Sequence, residues 1–414
     1  MKTTIEIAKT HLFAKKKQTL VASLGVTFGI AMFIVMIGFM TGINRVLENT
    51  ALANSPHIRI YNEIKSQRKA ILQEVFPQSL VIVHHQKPKN EKPKLKNGFV
   101  IIEKIKEMKE VWGVSAQLAT QVFYSYGETQ VNGNLAGVNI LDEDKLFSIK
   151  DKLIAGDLES LIAANNGILM GSGLAKKLNI HIGDKITLLA PNGTNSLVKI
   201  VGIFKTGIGA IDNIKCYANI ATVQRILQKD SHYLTEIYIR LKDANQARFL
   251  VKELKSRFGY EVEDWEKANE TLLASSIIRN IMTYVVSVTL LVVAGFGIYN
   301  IINMTVYDKM KDIAILKAIG FDGANITEVF MYQAVFIGIM GGLAGLSLGF
   351  TLSFILSRTP FTAGEVLGIK FFPVNFDPRF YIFGLVFGVL TTCLAGYFPA
   401  RKASKIDPVA ILRG

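Results

Sequence analysis

Few side chains in this sequence fall into a pattern that supports catalysis. Ser172 in Gly-Ser-Gly lacks the Gly-x-Ser-x-Gly spacing of a nucleophile elbow, and Asp212 stands where a dinucleotide-binding loop needs its third glycine. Neither a Gly-x4-Gly-Lys-Ser/Thr phosphate-binding loop nor a His-Glu-x-x-His metal motif occurs in the 414 residues. The two cysteines, Cys216 and Cys393, provide no disulfide framework. We therefore predict no catalytic residue, no metal site and no cofactor in this chain.

A short charged stretch, Tyr307–Phe330, separates two long uncharged runs. A projection at 100° per residue groups its large aliphatic residues on one arc, with Asp312 inside that arc and Gly320 placed to end the helix. A carboxylate among apolar side chains is costly without a cation or hydrogen-bond donors, so docking of another protein explains the pattern better than burial in lipid headgroups. The predicted docking residues are Asp308, Lys311, Asp312, Ile313, Ile315, Leu316, Ile319 and Gly320.

The elements around this stretch are membrane spans. Half of the residues are hydrophobic and only 19% are charged, and the apolar residues are concentrated in four uncharged runs. Each run reaches the length of about 20 residues that crosses a bilayer, whereas buried core helices rarely run so long without a charge. We place the spans at residues 18–44, 280–306, 328–357 and 380–400. The first is too long for the apolar region of a signal peptide.

Lysine and arginine near the span ends predict the orientation. Basic residues cluster in segments 1–17 and 401–414, so both termini are expected in the cytoplasm. Residues 307–327 are then cytoplasmic, and residues 45–279 and the loop 358–379 lie outside. The net charge of +14 does not indicate nucleic acid as a partner, because much of it lies in the outer domain. There it concentrates around Lys87–Lys96, a segment typical of a solvated loop, with contact to anionic lipid or an acidic partner as the alternative.

The outer domain alternates strand and helix patterns and is predicted to be α+β. Residues 99–114 read as one amphipathic helix, and a strand–helix–strand pattern follows residue 235, with Asp243 as helix cap and Gly259 as stop. Between residues 141 and 227 short β-rich runs dominate. This predicts a β-rich module, 141–227, inserted between parts 45–140 and 228–279 of one domain.

Two further groups of residues are candidates for packing and for cargo binding. Glycines four residues apart in the third span let helix backbones approach each other in lipid: Gly341, Gly345 and Gly349. Met and Phe side chains in the first span are either ordinary packed or lipid-facing residues or the wall of a cavity for an oily cargo: Met32, Phe33, Met36, Phe39 and Met40.

Four strings in the sequence resemble a known family. "DKMKDIAILKAIGFDGANITEVFMYQAVFIGIMGGLAGLSLG" and the carboxy-terminal "PARKASKIDPVAILRG" resemble the FtsX-like permease domain of MacB-type ATP-binding-cassette (ABC) transporters. "ILMGSGLAKKLNIHIGDKITLLAP" and "VKIVGIFKTGI" look most like the lipoprotein-releasing permeases LolC and LolE. The resemblance implies four transmembrane helices in a bacterial inner membrane and a periplasmic domain made of a Porter part and an inserted Sabre-like module.

The resemblance also implies partners. A separate ABC ATPase would dock on the cytoplasmic coupling helix in 307–327, two permease copies, identical or paralogous, would close together, and acylated lipoprotein would pass to a periplasmic carrier. Related permeases export peptides or macrolides with the same frame. The alternative to a transporter subunit is a membrane-anchored sensor or scaffold, which moves no cargo.

Overall fold

A computed structural model describes residues 2–14, 16–63, 93–361, 369–405, 407, 409 and 411. The chain forms two compact units, one with Met1–Leu47, Leu272–Gly364 and Ile369–Gly414, the other with Glu48–Thr271. Most of the lysine-rich segment, part of the loop 358–379 and much of the carboxy-terminal tail lie outside the described residues.

The described helices are α1 Lys2–Ala14, α2 Lys16–Asn54, α3 Gly98–Lys106, α4 Ile140–Phe147, α5 Leu158–Ala163, α6 Ser172–Leu178, α7 Gly209–Asp212, α8 Ile220–Ile226, α9 Ala247–Phe258, α10 Trp265–Ala268, α11 Glu270–Asp308, α12 Met310–Ala318, α13 Gly323–Arg358 and α14 Pro378–Ser404. The strands are β1 Ile58–Tyr61, β2 Val111–Tyr126, β3 Thr129–Val138, β4 Leu153–Gly156, β5 Gly167–Gly171, β6 Lys185–Leu189, β7 Asn195–Phe204, β8 Lys215–Asn219, β9 Glu236–Leu241 and β10 Glu261–Asp264.

Among the described residues, four helices are long and apolar enough to cross a membrane: α2, α11, α13 and α14. Each contains one predicted span and continues past both of its ends. The 39 residues of α2 and of α11 correspond to about 58 Å, against a hydrocarbon core of about 30 Å. The uncharged run marks only the part compatible with lipid, because charged residues such as Arg45 and Glu48 are also good helix formers.

Close backbone contact joins α13 to α2. A Cβ atom added at Gly341 would lie 2.8 Å from the Ser23 carbonyl oxygen, and one at Gly345 would lie 2.9 Å from that of Thr27. At Gly349 the nearest atom is the Ala31 Cα, at 3.1 Å. The structure therefore places all three glycines of the third span against one face of α2, where any larger residue would push the two helices apart.

The other unit is built on a mixed sheet. In the described part of the chain its strand order is β10-β1-β9-β2-β3-β8-β5-β7-β4, with β6 paired to β2 and β7. Alternate residues of the central strands enter two different cores. Leu135, Met170 and Cys216 face the core that holds α6 and α8, whereas Leu169 and Tyr217 face the core that holds α4 and α5. Helices cover both faces of the central strands, which explains continuous apolar runs such as "GILMG".

The long strand β2 joins the two predicted parts of this unit. Its first half pairs with β9, and its second half pairs with β3 and β6. The sheet therefore continues from the predicted Porter part into residues 141–227. The strand–helix–strand pattern after residue 235 is confirmed, since the Asp243 side chain caps a short 3-10 turn, Ala244–Gln246, before α9, and Gly259 ends α9 at φ 70°. The helix expected over residues 99–114 is wrong beyond Lys106, because the β-branched and aromatic residues from Val111 onward belong to β2.

Candidate coupling site

The short helix α12 is fixed at both ends. The N–H of Lys309 donates to the Thr305 carbonyl oxygen at 3.1 Å, so the chain leaves α11 without a long loop. At the other end Gly320 has φ 107°, its N–H donates to Lys317 O, and the N–H of Phe321 donates to Leu316 O. This pair of bonds is a Schellman motif, and only glycine adopts that φ without strain. The predicted stop at Gly320 is confirmed.

The aliphatic residues of α12 point in two directions rather than one. Ile313 is only 1% exposed and packs in the core formed by α2, α11, α13 and α14, whereas Ile315 is 51% and Ile319 is 69% exposed. Leu316 is half-buried, and Asp308, Lys311, Asp312 and Gly320 are exposed. The prediction of one apolar docking arc is therefore wrong at Ile313, whose side chain stabilises the unit itself. The outward face combines Ile315 and Ile319 with charged residues.

Asp312 has a cationic partner within this chain. Lys309 Nζ lies 2.7 Å from Asp312 Oδ2, one helical turn earlier, and the carboxylate stays about half exposed. Our argument that a partner protein must supply a cation to Asp312 is therefore wrong. The projection missed the pair because Lys309 lies just before the first residue of α12. An exposed i,i+3 pair of this kind contributes little to stability, about 0.2–0.5 kcal/mol.

The amino-terminal helix α1 lies beside α12 and forms a cleft with it. The cleft has a volume of about 550 Å³. Its lining residues are Glu6, Ile7, Thr10 and His11 from α1, and Asp312, Ile315, Leu316 and Phe321. The wall formed by α1 lies in residues 1–17, for which the sequence indicates only a charged cytoplasmic segment. The signal was present, because Thr4, Ala8 and Leu12 recur every four residues and are buried.

Two contacts attach this site to the span helices. His11 Nδ1 lies 3.3 Å from Gln333 Nε2 of α13, and burial together with the nearby Lys309 lowers the pKa of His11. Lys317 Nζ donates to the Ser404 carbonyl oxygen at the end of α14, at 3.0 Å. The site is therefore connected to α11 and α13 by the chain itself, and to α13 and α14 by short polar contacts.

A second cavity separates α2 from α11. It has a volume of about 390 Å³ and is lined by small and apolar residues, among them Gly25, Met32 and Gly297. A Cβ atom added at Gly25 or Gly297 would meet no atom within 4 Å, so the missing side chains create the space. We call this cavity the α2–α11 groove.

Of the five predicted cargo residues only Met32 lines the α2–α11 groove. Phe33 is buried, with its ring centroid 5.9 Å from that of Phe383, and Phe39 packs on Phe372 at 5.7 Å. Met36 and Met40 are half-buried. The single wall expected from these residues is wrong, because α14 and the segment before it cover one side of α2. On α2 the groove is instead lined by residues between Val21 and Met32.

A set of polar side chains links α2 and α11 near residue 44. The Arg279 guanidinium donates through Nε to Asn44 Oδ1 at 2.9 Å, and through its other nitrogens to the hydroxyls of Ser275 and Ser276. Asn44 Nδ2 donates to Asn280 Oδ1 at 2.8 Å. We call this set the Asn44–Arg279 clamp. The charged guanidinium of Arg279 thus donates hydrogen bonds to three side chains, an arrangement that the sequence pattern alone does not show.

Within the described ranges, no group of three or more His, Cys, Asp or Glu side chains is arranged to hold a metal ion. What the described residues of this region present is an exposed aliphatic face on α12, a cleft beside it and an apolar groove between α2 and α11.

Comparison with known families accounts for both units. Residues 19–257 match the MacB-like periplasmic core domain, and residues 284–408 match the FtsX-like permease C-terminal domain. The chain is 27% identical to the lipoprotein-releasing system transmembrane protein LolC of Neisseria meningitidis, over 67% of this chain and 72% of that protein. It is 25% identical to LolE of Haemophilus influenzae, over 100% of this chain and 99% of that protein.

A third relative has a larger chain. The macrolide export ATP-binding/permease protein MacB 2 of Yersinia pestis is 23% identical over 91% of this chain, which corresponds to 55% of that protein. The first family match alone covers more than half of the chain. Together with the four apolar helices, it shows a membrane protein with a MacB-like periplasmic domain. The chain therefore belongs to the family of FtsX-like, MacB-type ABC transporter permeases.

Proposed function

We propose that this chain is the permease subunit that passes ATP hydrolysis in a separate cytoplasmic ATPase to the periplasm, and that it releases lipoproteins from the inner membrane to a periplasmic carrier. The observation that carries the docking part is the exposed face of α12, where Ile315 and Ile319 stay in solvent although Ile313 is buried. The sequence offers no phosphate-binding loop, so the nucleotide site belongs to the partner. The names of the LolC and LolE relatives support lipoprotein as the cargo.

In this proposal both termini and α12 are cytoplasmic, the sheet-containing unit is periplasmic, and a second permease copy, identical or paralogous, completes the transporter. The ATPase seats on the cleft between α1 and α12. Apolar side chains that become buried at the centre of a protein interface, with polar and charged residues around them, match the arrangement of an apolar core and a polar rim in which a few residues supply most of the affinity.

The α2–α11 groove is the proposed entry for an acyl chain of the cargo. It lies between helices that would separate when the ATPase closes, and its floor of glycines leaves room for a linear aliphatic chain. Another amphiphile would fit the same groove. The MacB relative, whose name refers to macrolide export, supports this second candidate.

Docking is tested by placing acids on the exposed face. Ile315→Asp and Ile319→Asp should each weaken ATPase binding by roughly 30-fold or more, since loss of a hot-spot side chain costs about 2 kcal/mol or more. The measurement is co-purification of the tagged, full-length permease from membranes of its own host. The ATPase is identified by mass spectrometry of its phosphate-binding-loop peptide.

The matched control is Leu141→Asp, which places the same acid at a 55% exposed aliphatic residue of α4 in the other unit. This control should retain the ATPase, and all three variants should elute as the wild type does. Retention of the ATPase by both α12 variants would refute the docking site, and its absence from the wild-type preparation would favour a sensor or scaffold.

A further inference from the structure

A third cavity, separate from the two already assigned, lies between α1, the first turns of α2, and α13. It has a volume of about 510 Å³ and its walls are mostly apolar, with Phe13, Leu24, Phe336 and Met340 among them. Thr19 and Thr27 also line it, but their hydroxyls donate to the backbone carbonyls of Leu12 and Ser23 at 3.0 and 2.9 Å. The hydroxyls are therefore satisfied, and the cavity is suited to hydrocarbon.

One end of this cavity is cationic. Lys16 lines it, and a neighbouring cavity at the same end is lined by Lys16, Lys17 and Gln18 together with Phe13 and Ala14. Both lysines are exposed. At the opposite end the walls, Thr27 and Ala344, carry no charge. The cavity thus changes from cationic to apolar along its length. An anionic amphiphile matches it, because its charged headgroup pairs with the cationic end and its hydrocarbon tail with the apolar end.

The length of the cavity corresponds to one leaflet of a bilayer. From Lys16 to Thr27 the helix rises about 16 Å, and half of a hydrocarbon core of about 30 Å is about 15 Å. A phospholipid of that leaflet would reach the lysines with its phosphate while one acyl chain lies in the cavity. Basic pockets between membrane helices bind anionic headgroups in this way.

We propose that this cavity is a binding site for an anionic phospholipid, with its phosphate on Lys16 and Lys17 and one acyl chain between α1, α2 and α13. The lipid is a resident ligand, distinct from the transported cargo in the α2–α11 groove. Because α1 forms a wall of both this cavity and the docking cleft, the bound lipid holds α1 in the position that completes the docking cleft.

The test uses purified, delipidated full-length protein in detergent and two probes with identical acyl chains, phosphatidylglycerol and phosphatidylcholine. Native mass spectrometry counts bound lipids, and a titration gives their affinities. Wild type should prefer phosphatidylglycerol by about tenfold or more, given the usual contribution of two lysines near an anionic surface. Lys16→Gln combined with Lys17→Gln should abolish the preference. Ala344→Phe, which fills the apolar end, should weaken both lipids.

Two control variants make the result specific. Lys9→Gln removes an exposed lysine of α1 outside the cavity, and Leu343→Phe enlarges an exposed residue of α13 outside it. Both should bind lipid as wild type does. The proposal is refuted if wild type binds the two lipids equally, if the lysine variant keeps its preference, or if Leu343→Phe weakens binding as much as Ala344→Phe. These outcomes do not depend on cargo release.

Discussion

A single buried histidine makes the periplasmic unit sensitive to acid. His57 is buried just before β1, and its Nδ1 accepts the N–H of Leu241 at 3.2 Å. Burial, with the nearby Arg240 cation as a second cause, lowers the pKa of His57 from 6.5 to about 4. The folded unit therefore needs the neutral ring, whereas the unfolded chain takes up a proton near pH 6.5.

It follows that His57 makes the unit less stable as the pH falls from about 6.5 to about 4, because the unfolded state binds more protons in this window. His57→Asn keeps an acceptor but cannot be protonated there. Because a pKa lowered from 6.5 to about 4 corresponds to about 3 kcal/mol, we expect the melting temperature of wild type to fall by roughly 6–12 °C more than that of the variant between pH 7 and 4.

The measurement is thermal unfolding of the full-length protein in detergent across this pH range. His181→Asn, at an exposed turn residue, should follow the wild-type curve. Parallel curves for wild type and His57→Asn would contradict the assignment of the acid sensitivity to this ring.

At the scale of residues, the sequence does not show the direction in which each side chain of a helix points. The projection of α12 found the aliphatic residues but could not tell that Ile313 faces the core while Ile319 faces solvent, because tertiary packing decides which edge is covered. In α2 the same limit separates Met32, which lines the groove, from Phe33, which packs against α14.

At the scale of elements, the contact between α13 and α2 is sensitive to a single methyl group. Gly345→Ala brings a Cβ atom to 2.9 Å from the Thr27 carbonyl oxygen, so the helices must shift at a cost of about 1–3 kcal/mol. Gly25→Ala on α2 meets nothing within 4 Å and removes the conformational freedom of glycine, which favours the helix by about 1 kcal/mol.

Gly345→Ala should therefore lower the melting temperature of the membrane unit, whereas Gly25→Ala should leave it unchanged or raise it. Thermal unfolding in one detergent compares the pair directly. Equal effects of Gly345→Ala and Gly25→Ala would show that α13 and α2 do not pack as described.

The main elements could be predicted from the sequence because their signals are strong and local. Uncharged runs marked the four span helices, and Asp243 and Gly259 marked the ends of a strand–helix–strand unit. The helix α1 was missed, since its buried residues Thr4, Ala8 and Leu12 include two weakly hydrophobic types. The shared strand β2 was missed because pairing with both β9 and β6 is a long-range property.

At the scale of the whole molecule, the proposed cargo path can be separated from the docking site. Gly25→Phe and Gly297→Phe would fill the α2–α11 groove, and the first atom added at either position meets open space. Folding and ATPase association should be retained while release of an acylated lipoprotein falls about tenfold or more, because the groove of about 390 Å³ is occupied.

The measurement is transfer of a radiolabelled lipoprotein from membrane vesicles to an added periplasmic carrier. The control is Leu343→Phe, at an exposed residue of α13 outside the groove. This variant should release the lipoprotein at the wild-type rate. Normal release by both glycine variants would exclude the groove as the cargo path, and failure of all three variants would point to a general effect of bulk in the membrane.

The Asn44–Arg279 clamp gives the helix pair a pivot. Parting α2 from α11 near Arg279 would break the Arg279–Asn44 hydrogen bond, whose charged donor makes the loss cost about 1.5–3 kcal/mol, and the neutral Asn44–Asn280 bond. Beyond the other end of the groove, the described contact between the two helices is the weak one from Gln18 Nε2 to Met304 Sδ at 4.0 Å. Gly25 lies 19 residues from Asn44, or about 28 Å along the helix, so a tilt of roughly 10° about the clamp widens the groove by roughly 5 Å. If cargo enters by this groove, the opening is a wedge with its apex at the Asn44–Arg279 clamp.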